Sequence, residues 1–257
     1  MKRFSTFIII LSMAAVAAFS QPPYDLDAAV SVDEGAVIHQ VGNHQTAEIN
    51  QSGSPQAAAI YQEGPGVYGN TAVINQNLGV VGNEGYIQQV GDNNSARLDF
   101  AGEGYNTGVV FQHGEGHNIG VTVVGVNNTV DIRQESIAGH RVENAGLGSF
   151  SEPGDMFTWG DNNVLNVVQH GDQVAHLVTT PNGDSHIQSG NFNLIDVWQD
   201  GSDQLAELQQ TGDGNTIHVI MEGPFQNTTR VMQFGDDHSA SVDQLGAGNS
   251  VNIHQQN

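Results

Sequence analysis

The sequence predicts an all-β fold, a flattened, cross-β solenoid of two strands per coil and about nine coils, with one irregular insert. Three observations carry this reading. A unit of about 11 residues recurs along nearly the whole chain. Within each unit, residue types alternate with period two, as they do on a strand whose side chains point to opposite faces. The composition is polar: 257 residues include 32 Gly and 47 Asn plus Gln, only 13% are charged, and there is no Cys. Such a chain has neither the apolar mass of an ordinary core nor disulfides, so order requires another packing principle.

The elements follow in chain order. Lys2 and Arg3, the apolar run Phe7 to Ala18 and the small residues Ala18 and Ser20 form the pattern of a secretory signal peptide over residues 1–20. The run is too short for a membrane span. Residues 21–35, with Pro22 and Pro23, read as an irregular leader. Residues 36–257 then carry the repeat. In its first half the inward set is Ala36-Ile38-Gln40, Gln45-Ala47-Ile49-Gln51, Gln56-Ala58-Ile60-Gln62 and Asn70-Ala72-Ile74-Gln76. Gly85-Ile87-Gln89, Asn94-Ala96-Leu98-Phe100, Gly108-Val110-Gln112, Asn118-Gly120-Thr122-Val124 and Asn128-Val130-Ile132-Gln134 continue it. Residues 135–159 lose the period and read as an insert or one degenerate coil. Asn163-Leu165-Val167-Gln169 restores it, and residues 173–188 fit poorly, with Asp184 and His186 at would-be inward positions. The last units are Asn193-Ile195-Val197-Gln199, Gln204-Ala206-Leu208-Gln210, Asn215-Ile217-Val219-Met221, Asn227-Thr229-Val231-Gln233, Ala240-Val242-Gln244 and Asn249-Val251-Ile253-Gln255.

Turns between units hold Gly with Asp or Asn, as in Gly91-Asp92-Asn93 and Gly212-Asp213-Gly214, residues that tolerate positive φ. Stacked coils place Asn or Gln at both ends of each inward row. The candidate ladder residues are Gln40, Gln51, Gln62, Asn70, Gln76, Gln89, Asn94, Gln112, Gln134, Asn163 and Gln169, then Gln199, Asn193, Gln204, Gln210, Asn215, Asn227, Gln233, Gln244, Asn249 and Gln255. Each amide is expected to bond its copy in the coils above and below. That satisfies a buried polar group, which unpaired would cost about 1–3 kcal/mol.

The chain carries 28 Asp plus Glu against six Lys plus Arg, a net charge of −22. A polyanion repels nucleic-acid phosphates and anionic headgroups, so neither kind of partner is expected, and no stretch after residue 20 is apolar enough for a transmembrane span. Outward Asp and Glu are expected to form like-charge columns along the stack. The 11 His are scattered, no HExxH or EF-hand loop is present, and the repeat is not the nine-residue GGxGxD calcium type, so no metal site and no cofactor are expected. Asp184-Ser185-His186 lacks a nucleophile elbow, and Ser and His adjacent on a strand face opposite ways; no catalytic residue and no enzyme activity are expected. Trp159 and Trp198 read as outward packing.

The spacing resembles the curlin repeat, Ser-x5-Gln-x-Gly-x2-Asn-x-Ala-x3-Gln. Gln40-x-Gly42-x4-Ala47-x3-Gln51, Gln62-x-Gly64 with Asn70-x-Ala72-x3-Gln76, and Gln89-x-Gly91-x2-Asn94-x-Ala96 carry the resemblance. Gln199-x-Gly201-x4-Ala206-x3-Gln210 and Gln233-x-Gly235-x4-Ala240-x3-Gln244 repeat it. The first Ser is mostly absent, and Ile, Leu or Val often replaces the Ala. The resemblance implies a structural subunit of an extracellular, curli-like amyloid fibre supporting biofilm matrix, aggregation and surface adhesion. Its implied partners are further copies of itself, a curli-type nucleator and an outer-membrane secretion channel; its implied location is the bacterial cell surface. The other reading is a non-polymerising secreted solenoid, an adhesin or ligand-binding surface protein.

Overall fold

The computed structural model describes residues 35–52, 56–64, 68–76, 82–101, 104–136, 141–144, 156–171, 176–179 and 186–257. The signal-peptide and leader readings for residues 1–34, and the Asp184–Ser185 pair, lie outside them. Among the described residues twenty strands run β1 (Gly35–Gly42), β2 (Thr46–Gln51), β3 (Ala57–Gly64), β4 (Thr71–Gln76), β5 (Glu84–Asp92), β6 (Ser95–Phe100), β7 (Thr107–Glu115), β8 (Asn118–Val124), β9 (Thr129–Ser136) and β10 (Arg141–Asn144). They continue with β11 (Met156–Trp159), β12 (Val164–His170), β13 (His176–Thr179), β14 (His186–Ser189), β15 (Leu194–Gly201), β16 (Leu205–Thr211), β17 (Thr216–Gly223), β18 (Thr228–Phe234), β19 (Ser239–Leu245) and β20 (Ser250–Gln256).

The strands sort into two parallel sheets, as a solenoid requires. One is nine-stranded, in the order β1-β3-β5-β7-β9-β12-β15-β17-β19. The other is eleven-stranded and holds the strands between. Each strand pairs in register with the equivalent strand one coil on. Ala36, Ile38 and Gln40 meet Ala58, Ile60 and Gln62, and Val231, Ile253, Gln233 and Gln255 stand on one another the same way. Register is specified because a slip by one residue would turn every apolar side chain to solvent.

Two rungs of the second sheet are each built from two short strands. Arg141 and Val142 of β10 pair with Asn118 and Ile119, while Met156 to Trp159 of β11 pair with Val121 to Val124. So β10 and β11 share the rung above β8. The next rung is β13 with β14, which pair onto β10 and β11 below and β16 above. The aperiodic stretch 135–159 thus contributes backbone to the stack. So does 173–188, whose poor fit reflects a split strand with a register shift opposite Phe157 and Thr158.

The core is a thin column of Ala, Val, Ile and Leu between the sheets, with Ile74, Ile87, Leu98, Val110, Ile132, Leu165, Ile217 and Val231 fully buried. Phe100 is its largest member and fits because the facing inward positions are glycines. A β-carbon at Gly108 would stand 2.8 Å from Phe100 Cζ, and one at Gly85 3.2 Å from Cε2.

One expected parity is overturned. The repeat spacing sets Asn118, Gly120, Thr122 and Val124 inward, but the core side chains of β8 are Ile119, Val121 and Val123. His117, not Asn118, holds the position five residues after the preceding ladder Gln, and it is 1% exposed. The apolar demand of the core outweighs the amide type that points to Asn118.

Candidate functional site: the amide ladders and the end rungs

The Gln positions stack into two columns. In the first sheet, Gln40 Nε2 donates to Gln62 Oε1 (2.7 Å), Gln62 to Gln89 (2.7 Å), Gln89 to Gln112 (2.8 Å), Gln112 to Gln134 (3.0 Å), Gln134 to Gln169 (2.8 Å) and Gln169 to Gln199 (2.8 Å). The second N–H of these amides reaches a backbone carbonyl of the opposite sheet, at 3.0 Å from Gln62 to Thr46, Gln89 to Thr71 and Gln112 to Ser95. An amide oxygen only accepts and an amide nitrogen only donates, which fixes each side chain's orientation and gives the column one direction. Met221 then takes the Gln place, in register between Gln199 and Gln244. Gln244 is held by Thr229 Oγ1, which donates to its Oε1 (2.9 Å), and by its own bond to the Thr228 carbonyl (3.2 Å).

The second sheet's column starts with Gln51 donating to Gln76 (2.8 Å), is interrupted by Phe100 and Val123, and resumes higher up. Thr158 Oγ1 donates to Gln188 (3.4 Å), Gln188 to Gln210 (3.3 Å), Gln210 to Gln233 (3.0 Å) and Gln233 to Gln255 (2.8 Å).

Asn works differently from the expected amide-to-amide chain. Each Asn Oδ1 accepts the backbone N–H of its successor, and its Nδ2 donates to a corner glycine carbonyl of the next coil. Asn163, Asn193 and Asn215 follow this rule, with Oδ1 bonds of 3.0 Å from Asn193, Asn215 and His238 N–H. Their Nδ2 groups donate to Gly190 (2.7 Å), Gly212 (2.8 Å) and Gly235 (2.8 Å). At the other corner Asn70 and Asn94 reach Gly91 and Gly114, Gln204 reaches Gly223, and Asn227 reaches Gly246. Asn106 and Asn128 add the expected amide-to-amide bond to this pattern: their Nδ2 groups lie 3.1 Å from Asn83 Oδ1 and Asn106 Oδ1 while also donating to the Gly125 (2.8 Å) and Gly160 (2.7 Å) carbonyls. Asn249 has no glycine above it and turns back to the Leu245 carbonyl (3.0 Å).

Several ladder members escape the repeat pattern. Asn83 and Asn106 start rungs in this column, Asn106 N–H reaching Asn83 Oδ1 at 3.0 Å. Asn128 continues it. His117 takes an Asn place, its N–H donating to Asn94 Oδ1 (3.0 Å) and its Nε2 lying 3.1 Å from the His113 carbonyl. Its constant offset from Gln112 is the signal that could have found it.

The corners need glycine for two reasons. Gly91, Gly201 and Gly212 have φ of +112°, +131° and +116°. A β-carbon at each would also fall 2.0, 1.8 and 2.1 Å from the carbonyl oxygen of the glycine one coil on. Gly246, in the last coil, has φ +99°, and its β-carbon would meet nothing closer than Asn249 Nδ2 at 3.9 Å.

The outward charges do not form the expected like-charge columns throughout. Asp131 stacks between Val109 and Asn166. Asp196 lies 3.1 Å from His218, Glu207 3.5 Å from Arg230, and Arg97 2.7 Å from Asp99. Like charges meet at Asp92–Glu115 and Asp200–Glu222. Successive coils differ in sequence, so acids are interleaved with other residues. Asp131 holds the Arg133 guanidinium above its ordinary pKa, and burial together with Tyr61 pushes the Tyr86 phenol up to about 12. Among the described residues, no three His, Asp or Glu gather as metal ligands, and no helix is long and apolar enough to cross a membrane.

Residues 226–256, which include β18, β19 and β20, match the model of the curlin associated repeat. No curated protein and no solved structure matches the chain.

Proposed function

We propose that this curlin-repeat chain is the non-enzymatic structural subunit of an extracellular, curli-like amyloid fibre, built by stacking the last coil of one copy on the first coil of the next. The observation that carries the reading is the match between the two end rungs. Ala240, Val242 and Gln244 of β19 would meet Ala36, Ile38 and Gln40 of β1; Val251, Ile253 and Gln255 of β20 would meet Ala47, Ile49 and Gln51 of β2. Both ladders run from donor to acceptor in the same direction, so Gln244 and Gln255 present N–H toward the Oε1 atoms of Gln40 and Gln51. Ile38 is 46% exposed, so docking would cover apolar surface as well as complete the ladders. Open sheet edges of this kind template the addition of strands. Secretion through an outer-membrane channel and growth from a nucleator at the cell surface belong to the same reading, as do biofilm matrix and adhesion.

Alanine at the growing end tests it. Gln255→Ala removes an inward amide and is expected to slow seeded elongation by a free energy of about 1–3 kcal/mol. Asn252→Ala, on the outward face of the same strand, is expected to leave elongation unchanged. Equal effects of the two would sink the end-rung junction.

A further inference from the structure

We infer that one edge of the solenoid is a binding strip for a neutral oligosaccharide, centred on Tyr105 and Phe192. This goes beyond the fibre reading and does not depend on it. The corner residue that precedes each first-sheet Asn is left-handed in successive coils: Tyr105, Asn127, Asn162, Phe192 and Asp237 have φ of 61°, 57°, 58°, 58° and 58°, with Gly214 at 70°. Their backbones stack, because Asn127 N–H donates to the Gly104 carbonyl (3.3 Å), Asn162 to Val126 (2.8 Å) and Phe192 to Asp161 (3.0 Å). Asn, Asp and Gly are the residues this conformation favours; a bulky aromatic there is an outlier.

Tyr105 and Phe192 nevertheless stand there, and they are 63% and 68% exposed. Tyr105 leans over Gly82 of the preceding coil, where a β-carbon would stand 2.8 Å from its Cδ1, yet both rings keep most of their surface open to solvent. Strain kept for so little burial points to function. Between the two rings lie Asn127 and Asn162, joined by a long amide contact of 3.4 Å. The line therefore reads ring, amide, amide, ring along the stacking axis. Three rung steps of about 4.8 Å separate the rings by about 14 Å, the reach of a short linear oligosaccharide.

The chemistry selects the ligand. Sugar rings present a C–H face that stacks on an aromatic ring and hydroxyls that bond to amides, and both are offered here in alternation. The chain's net charge of −22 excludes acidic polysaccharides from a strip on its surface.

The test uses the chain in its soluble form and, separately, after assembly, with cellohexaose and chitohexaose as neutral probes and oligogalacturonate as the acidic one. Calorimetric titration is expected to show binding of at least one neutral probe and none of the acidic one. Y105N and F192N introduce the residue that Asn127 and Asn162 already place in this column, so the fold is expected to be kept or stabilised. Each is expected to weaken binding by about tenfold, and the pair to abolish it. Y105G with F192G, which copies the Gly214 corner, is expected to behave alike. No binding of either neutral probe by the wild-type chain, equal binding by the Asn pair, or tighter binding of the acidic probe would overturn the inference. Loss of fibre bundling in the Asn pair without neutral-probe binding would assign the rings to contacts between copies and overturn it too.

Discussion

Replacing Gly246 by alanine separates folding from assembly. Equivalent corners inside the chain are crowded: a β-carbon at Gly223 would land on the Gly246 carbonyl oxygen, and one at Gly42 on that of Gly64. At Gly246 the space is open: among the described residues nothing comes nearer to a β-carbon than Asn249 Nδ2 at 3.9 Å. The cost of Gly246→Ala to the folded monomer is therefore that of holding alanine at φ +99°, about 1–2 kcal/mol. In the proposed fibre the next copy's Gly42 carbonyl would occupy that space, and the new methyl adds an overpacking cost of roughly 1–3 kcal/mol to each junction. That amounts to an increase of about five- to 150-fold in the critical concentration for growth. The assay is seeded elongation followed by light scattering, with circular dichroism as the control for folding. G246A is expected to fold, to elongate by itself only above that raised critical concentration, and to slow wild-type seeds when added in small amounts, since its first coil still docks while its last coil accepts the next copy poorly. Gly223→Ala is expected to damage the monomer. A folded G246A chain that elongates wild-type seeds at the wild-type rate would refute the coil-on-coil junction.

Two further outcomes follow from the ladders and the end rungs. Gln134 accepts from Gln112 and donates to Gln169, so Gln134→Ala is expected to leave two buried partners unpaired and lower unfolding stability by roughly 2–6 kcal/mol in urea titrations. Gln134→Met restores the volume but neither hydrogen bond, so it is expected to recover only a minor part of that loss; at Met221 the same exchange is tolerated because Thr229 Oγ1 bonds Gln244 instead. A Met variant as stable as the wild type would show that the ladder bonds do not carry the cost. At the junction, Asp243 would stack on His39, Asn252 on Glu48 and His254 on Asn50, with no like-charge pair among them. Each copy nevertheless carries −22, so elongation is expected to accelerate as salt rises from roughly 10 to 150 mM and the Debye length falls from about 30 to about 8 Å, and a flat rate would show that net charge does not limit the approach of copies.

Much of this architecture is legible in the sequence because the period-two pattern and the stack reinforce each other. Gln62, Gln89 and Gln112 each sit two residues before a corner glycine, Gln134 two before Ser136, and the coil spacing places them on one line. What stays hidden has local causes. Asn118 imitates a ladder amide, but the alternation of Ile119, Val121 and Val123 decides the parity of β8 and gives the place to His117. Asn83 and Asn106 follow longer corners, and Asn106 comes after a rung that closes on Phe100 rather than Gln. Gln188 lies in a rung split between β13 and β14, where Ile187 and Gln188 are both buried across a register shift and the alternation fails. That Asn adds bonds to the corner backbone, where Gln bonds its copy and the opposite sheet, depends on side-chain geometry at the corner, which no periodicity reports. The interleaving of acids with His, Arg and Asn depends on register between unlike coils.

The most direct test of the central claim is X-ray fibre diffraction on residues 21–257 after incubation at tens of micromolar, with thioflavin fluorescence following the time course. Stacked coils are expected to give ordered fibres with a meridional reflection near 4.7–4.8 Å, set by the strand spacing along the axis. A chain that stays a folded monomer for days, or fibres without that meridional reflection, would contradict it.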